Sequence, residues 1–253
     1  MDRKCLYVAF SNQKGGVGKS VITTLFSSYL HYVKGKNVVL IDCDYPQHSI
    51  KTLRDRDMDS VNNSPVYKKM FLKQLKAIDK MAYPVLTAAP ADAIQIAGKY
   101  LEQSDIHFDI VLFDLPGTVL STGVLDLLLK LDYLFCPVTT DRMVMQSSLA
   151  FASTVKDYLK QNRQFPLKNA YLFWNKVNKV ENKKLYLQYS QIIKKLDLSI
   201  LQTELPDTIK YKKEMNQDNS PFFRSTLFPP DKNLAKGSFF EELVNEICQI
   251  INI

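Results

Sequence analysis

The stretch SNQKGGVGKS, residues 11–20, places three of the chain's eight glycines, Gly15, Gly16 and Gly18, within four residues. It lies between an apolar run, Leu6 to Ser11, and a segment in which Val21, Ile22, Leu25, Phe26, Tyr29, Leu30 and Val33 recur at helical spacing. A strand, a glycine-rich turn and a helix in that order let backbone N–H groups converge at the helix N-terminus, where they bind anions. Gly18, Lys19 and Ser20 complete the pattern G-x-x-x-x-G-K-[ST], whose loop cradles nucleotide phosphates. Gln13 stands where the first glycine is usual, and a second lysine, Lys14, follows it. With average residue usage, K-G-G-x-G-K-[ST] arises on the order of 10⁻⁷ per starting position. The dinucleotide pattern G-x-G-x-x-G is the rival; Gly16 and Gly18 begin it, but Val21 takes the place of its third glycine. In the phosphate-loop reading Lys19 reaches the β- and γ-phosphates, and the Ser20 hydroxyl ligates Mg²⁺.

Outward from this loop, apolar runs alternate with helical patterns. Leu6 to Ser11, Val38 to Asp42, Val85 to Ala88, Ile110 to Asp114, Tyr133 to Val138, Ala170 to Trp174 and Ile200 to Leu201 read as strands. Several are continuously apolar, as strands buried on both faces of a parallel sheet are. The alternation predicts an α/β fold, a doubly wound and mostly parallel sheet flanked by helices. Without an internal repeat or a marked linker, residues 1–253 read as one domain. Asn219 to Gly237 reads as an irregular connection. Beyond it, Phe239, Phe240, Leu243, Val244, Ile247, Ile250 and Ile251 share the apolar face of a last helix. Glu241, Glu242 and Glu246 lie opposite, where a membrane-surface helix would carry lysines, so this helix is expected to pack on the sheet.

No apolar run approaches the eighteen or so residues needed to span a bilayer, and no cleavable signal pattern precedes the first strand. Cys5, Cys43, Cys136 and Cys248 are far apart and the histidines scattered, which argues against zinc and for reduced thiols in a cytoplasm. Formal net charge is +7, and Lys160 to Lys213 carries twelve Lys/Arg against four Asp/Glu. Such lysines solvate outer helices in many proteins, or they form a face for nucleic acid phosphates. Candidates for the second role are Lys183, Lys184, Lys194, Lys195, Lys210, Lys212 and Lys213.

K-G-G-V-G-K-S resembles the deviant Walker A motif of the ParA/MinD family of P-loop ATPases. The resemblance implies that Lys14, Gly15, Gly16, Val17, Gly18, Lys19, Ser20 and Val21 surround the phosphates of ATP. It also implies that Lys14 reaches across a nucleotide-sandwich dimer to the partner's ATP, where positive charge stabilises phosphoryl transfer. VVLIDCDYPQHS is similar to the family's D-x-D-P-Q motif, with Asp42 and Asp44 as its acids and Tyr45 inserted before Pro46. The resemblance gives Asp44 the positioning of the attacking water and puts Asp42 beside the nucleotide. Paired acids at a strand end also serve simply to cap the next turn.

FDIVLFDLPGT is similar to the Walker B strand and the switch after it, which gives Asp114 the Mg²⁺ and Gly117 an N–H at the γ-phosphate. YLFCPVTTDRMVMQS resembles the strand that leads into a dimer-facing helix. In LFWNKVNKV, Asn178 replaces the aspartate of the guanine-reading box, and Asn175 suits adenine. TELPDTIKYKKE matches a later loop in which Pro206 and Asp207 flank the base. LHYVKGKNVVLIDCDYPQHSI and FRSTLFPPD are similar to the TraA proteins of conjugative transposons.

The resemblance therefore implies a slow ATPase that forms a homodimer with ATP and binds DNA without sequence preference. A partner, ParB-like or a conjugation protein, stimulates hydrolysis in the partition, maintenance or transfer of a mobile DNA element. The expected place is the cytoplasm, on the nucleoid when ATP is bound, with no membrane anchor. A MinD-like membrane cycle and an ATP-binding scaffold with negligible turnover are the alternatives. A bacterial tyrosine kinase would end in a tyrosine cluster, and the last fifteen residues hold no tyrosine.

Overall fold

The computed structural model describes residues 5–117, 123–161, 164–178, 183–216 and 218–253. Seven strands form one sheet: β1 (Leu6–Phe10), β2 (Val38–Asp42), β3 (Val85–Thr87), β4 (Ile110–Asp114), β5 (Tyr133–Val138), β6 (Asn169–Trp174) and β7 (Ser199–Ile200). Their spatial order is β3-β2-β4-β1-β5-β6-β7, and every pairing is parallel. The helices are α1 (Lys19–Tyr32), α2 (Ser49–Asn63), α3 (Pro65–Ile78), α4 (Ala93–Glu102), α5 (Val124–Leu129), α6 (Arg142–Gln161), α7 (Lys183–Lys195), α8 (Lys232–Ala235) and α9 (Phe240–Ile251).

Side chains of a strand alternate between the two faces, so each face builds its own core. Tyr7, Ala9, Val39, Ile41, Val111 and Phe113 look one way, toward α4, α5, α6 and α7. Val8, Phe10, Val38, Leu40, Ile110 and Leu112 look the other way, toward α1 and α9. The inner strands β1, β2, β4 and β5 are covered on both sides, which explains their unbroken apolar sequences. In α9, Phe240, Leu243, Val244, Ile247 and Ile251 are buried against the sheet, as its acidic outer face predicts. Phe239 departs from the expected face: it precedes the helix in left-handed backbone (φ 58°) and is 39% exposed.

Sequence patterning does not delimit the α2–α3 hairpin between β2 and β3. Ser64 ends α2 and caps α3, its hydroxyl accepting from the Tyr67 N–H at 3.3 Å, with Pro65 in the first turn. Beneath the hairpin, the segment 219–237 is irregular as expected, apart from the single turn of α8. It is tied down by a buried polar cluster. The Asp57 carboxylate accepts from the Thr226 N–H at 2.7 Å, the Thr226 hydroxyl at 2.8 Å and the Ser225 hydroxyl at 3.0 Å. Arg54 donates to the Thr226 carbonyl at 3.0 Å and to the Tyr83 carbonyl at 2.8 Å.

Register decides where chemistry can occur. Phe10 and Asp42 both pair with Asp114, so β1, β2 and β4 end level with one another. From central β1 the chain winds to one side through β2 and β3, and later to the other through β5, β6 and β7. The carboxyl edge at such a reversal is where open α/β sheets bind ligands. The loop 11–18 leaves β1 at that edge.

Candidate phosphate-binding site

The loop after β1 passes twice through left-handed backbone, at Gly16 (φ 75°) and Gly18 (φ 92°). That region costs a residue with a side chain about 1–2 kcal/mol. At Gly18 space is closed as well, because a Cβ there would sit 2.8 Å from Asn175 Nδ2. The Asn175 amide, at the end of β6, donates to the Val17 carbonyl at 2.8 Å. Its neighbour Lys176 extends Nζ to the Gly16 carbonyl at 2.6 Å. From the other side, Asn12 Nδ2 donates to the Pro137 carbonyl at 2.6 Å, and Asn12 Oδ1 accepts from the Lys14 N–H at 3.2 Å. The loop is thus fastened to β5 and β6 by side chains, and the N–H groups from Gly15 to Gly18 make no backbone hydrogen bond among the described residues, as an anion site requires.

Lys19 opens α1 with a buried side chain whose ammonium donates to the Lys14 carbonyl at 3.3 Å. Burial pulls its pKa down, and the nearby Asp114 and Asp44 carboxylates oppose that. Asp114 is fully buried, and desolvation pushes its carboxyl up to about 7. Asp42 and Asp44 push the same way; the Ser20 hydroxyl and Lys19 pull it down. Asp114 Oδ2 has no hydrogen-bond partner among the described residues. A buried carboxylate oxygen without a protein donor, next to a hydroxyl and a phosphate loop, suits a hard divalent cation that keeps most of its oxygen ligands from water and phosphate. No group of three or more His, Cys, Asp or Glu that could hold a metal occurs among the described residues.

The two acids of the D-x-D pair part company. Asp42 is fully buried, and its Oδ2 accepts from the Ile50 and Lys51 N–H groups at 2.9 and 3.0 Å, its Oδ1 from the Asp44 N–H at 3.1 Å. It caps α2 and does not line the cavity beside the loop. Asp44 is half-buried and does line it. Burial, then repulsion from Asp42, raises the pKa of Asp44.

The cavity has a volume of about 490 Å³, in the range of small-ligand sites. Gly15, Gly16, Gly18, Lys19, Ser20, Val21, Asp44, Gly117, Asn175, Pro206 and Asp207 line it. Gly117 stands against the loop, its virtual Cβ 3.6 Å from the Gly15 Cα. Pro206 and Asp207 are brought opposite because the Leu205 N–H donates to the Trp174 carbonyl and the Asp207 N–H to the Val177 carbonyl. Lys14 is exposed outside the cavity wall, and the Val17 side chain is buried behind it. Gln47, Lys176, Thr208, Tyr211 and Lys212 also line the cavity, which the sequence does not lead one to expect. The signals that could have found them are the D-x-D-P-Q match around Gln47, the TELPDTIKYKKE match that holds Thr208, Tyr211 and Lys212, and the adjacency of Lys176 to Asn175.

The proposed basic face divides. Lys184, Lys194 and Lys195 are exposed on α7, which packs on one face of the sheet through Tyr189 and Ile193. The side chain of Lys183 lies outside the described residues. Lys210, Lys212 and Lys213 belong to or follow the 3-10 turn Ile209–Lys212, which packs on the opposite face through Tyr211. Lys210 donates to the Lys236 carbonyl at 2.6 Å, and Lys212 is in the cavity wall. The six described lysines do not form one surface within a subunit.

The sequence matches the CobQ/CobB/MinD/ParA nucleotide binding domain over residues 8–222. The protein BBD21 of Borreliella burgdorferi is 27% identical over 188 residues, which are 68% of this chain and 74% of BBD21. A plasmid partition protein from Borrelia burgdorferi superposes with a TM-score of 0.61 at 16% identity, over 98% of this chain and 100% of that one. A McdA–ATP complex from Cyanothece gives 0.62 at 12% identity, over 99% and 97% of the two chains. At such identities the structural likeness speaks for the fold, whereas the sequence match takes in the loop, both acids and the cavity's far wall. The chain belongs to the family of CobQ/CobB/MinD/ParA nucleotide-binding domains.

Proposed function

We propose that this protein is an ATP-hydrolysing switch: it dimerises when ATP is bound, binds DNA without sequence preference as a dimer, and resets on hydrolysis. The observation that carries the reading is the opposite placement of two lysines of one loop. Lys19 is buried in the wall of the cavity, while Lys14 is exposed outside it. A second loop lysine that does not serve its own site is suited to a partner's γ-phosphate. Lys19 and the loop N–H groups hold the phosphates, and Asp44 orients the attacking water from the cavity wall. Ser20 and Asp114 would hold Mg²⁺, which would neutralise developing phosphate charge when bound. Asn175, Pro206 and Asp207 face the base.

The likeness to a plasmid partition protein favours positioning or maintenance of a mobile DNA element, in the cytoplasm and on the nucleoid when ATP is bound. A ParB-like partner would stimulate turnover; the TraA resemblance offers conjugative transfer as the second setting. No helix among the described residues is long and apolar enough to cross a membrane. The test is retention on immobilised duplex DNA with ATP or ADP, with and without Mg²⁺. Retention in ATP with Mg²⁺ and release in ADP is the expected outcome. Equal retention in all conditions overturns the switch.

A further inference from the structure

Helix α3 carries a basic surface that the charge count along the sequence does not bring out. Its fourteen residues, PVYKKMFLKQLKAI, include four lysines and no acid. At 100° per residue, Tyr67, Phe71, Gln74, Leu75 and Ile78 fall on one side, and these are its buried or half-buried positions. That side is seated firmly: Tyr67 and Phe71 meet Phe222 and Phe228 edge-on, with ring centroids 5.9 Å apart in each pair. Gln74 donates to the Leu227 carbonyl at 2.7 Å.

Lys69, Lys73 and Lys76 occupy the middle of the opposite side, at spacings i, i+4 and i+7, so they form a row about 10 Å long. Lys68 lies apart from the row, at the margin of the buried side next to Leu75. All four are exposed, and no side chain among them makes an ion pair or hydrogen bond among the described residues. Val66, Met70 and Leu72 flank the row, 51%, 44% and 58% exposed.

A helix that lies in a membrane surface directs its apolar stripe at the lipid and its lysines to the margins. Here the arrangement is reversed. The apolar stripe is used on the protein, and lysines hold the centre of the outward side. Such a row complements a surface with regularly spaced negative charges, as on a nucleic acid backbone. We infer that α3 is a contact surface for the phosphates of duplex DNA, distinct from the lysines of α7. The inference rests on the proposed DNA binding and says where on the molecule it occurs. Its seat also connects it with the nucleotide cavity. The Tyr67 hydroxyl donates to the Asn216 carbonyl at 3.0 Å, four residues beyond cavity-lining Lys212.

The test is a salt titration of binding to a fluorescent duplex in ATP and Mg²⁺, using the full chain. Lys69→Glu/Lys73→Glu is compared with Lys194→Glu/Lys195→Glu on α7 and with wild type. A parallel arm uses phosphatidylglycerol vesicles. The α3 variant should keep its ATP affinity and thermal midpoint, yet bind DNA at least about tenfold more weakly at 0.1 M salt. Because each subunit of a dimer then neutralises two fewer phosphates, the salt slope should be shallower by about 3.6. Lys69→Arg/Lys73→Arg should restore binding, and Lys69→Gln/Lys73→Gln replaces the Glu variant if that one misfolds. Wild-type DNA affinity in the α3 variants, with loss only in the α7 variant, overturns this inference and leaves the switch intact. Loss of vesicle binding without loss of DNA binding overturns it in favour of a lipid surface. A wild-type chain that binds no duplex with any nucleotide overturns the DNA reading itself.

Discussion

The Asn175 amide donates to the Val17 carbonyl at 2.8 Å, and so occupies the space that any side chain at position 18 would need. One asparagine at the end of β6 thereby fixes both the shape of the phosphate loop and the identity of its last glycine. It also lines the cavity, where the second hydrogen of its amide is not committed to the loop.

Asn175→Ala should consequently weaken nucleotide binding through the loop, with a stability loss of about 1 kcal/mol for the missing hydrogen bond. Gly18→Ala should be worse, since left-handed strain adds to the clash with Asn175. Calorimetry with ATP and with ADP reads both. A variant that merely lost base recognition would bind inorganic triphosphate as well as wild type, whereas loop distortion lowers affinity for triphosphate too.

The two acids of the D-x-D pair should separate in experiment as they do in space. Asp42→Ala strands the Ile50 and Lys51 N–H groups at the start of α2 and the Asp44 N–H in the turn before it, and should cost about 2–3 kcal/mol in urea unfolding. Asp44→Ala removes a carboxylate that makes no hydrogen bond among the described residues, so its stability should stay within about 0.5 kcal/mol of wild type. Hydrolysis should nevertheless fall by at least about a hundredfold with ATP affinity retained. Full turnover in Asp44→Ala would remove its role in orienting water.

Asp57→Ala should unfold more easily by about 3 kcal/mol, because the Thr226 and Ser225 donors and the Arg54 charge lose a buried partner together. Hydrogen exchange should rise first in 219–237 and in α3, which that segment seats. Uniformly faster exchange across the sheet would mean that the cluster supports the whole fold instead.

Much of this architecture can be read from sequence, for identifiable reasons. Strands covered on both faces must be apolar throughout, so Val38–Asp42 and Ile110–Asp114 announce themselves. The loop is equally plain, since few arrangements need three glycines and a lysine between a strand and a helix. Asp42 and Asp44 look alike in sequence, because both are acids at a strand end and only burial distinguishes the cap from the cavity residue. Lys212 reads as surface charge in IKYKK, yet the return of Leu205–Asp207 alongside Trp174–Val177 carries the following turn into the cavity wall. That is a long-range effect no local pattern contains. The α3 hairpin escapes sequence patterning because its inner stripe is short and aromatic, interrupted by the lysines that make its outer side distinctive.

In the proposed switch one lysine of the loop serves its own nucleotide and the other a partner's. Light scattering of the hydrolysis-slow Asp44→Ala protein, in saturating ATP and Mg²⁺, measures this most directly when Lys14→Ala or Lys19→Ala is added. Asp44→Ala alone should have the mass of a dimer. With Lys14→Ala added, calorimetry should still register ATP binding, but the mass should be that of a monomer. With Lys19→Ala added, both binding and dimer should be lost. A stable ATP dimer without Lys14, or equal loss of ATP binding in the two lysine variants, would contradict the account.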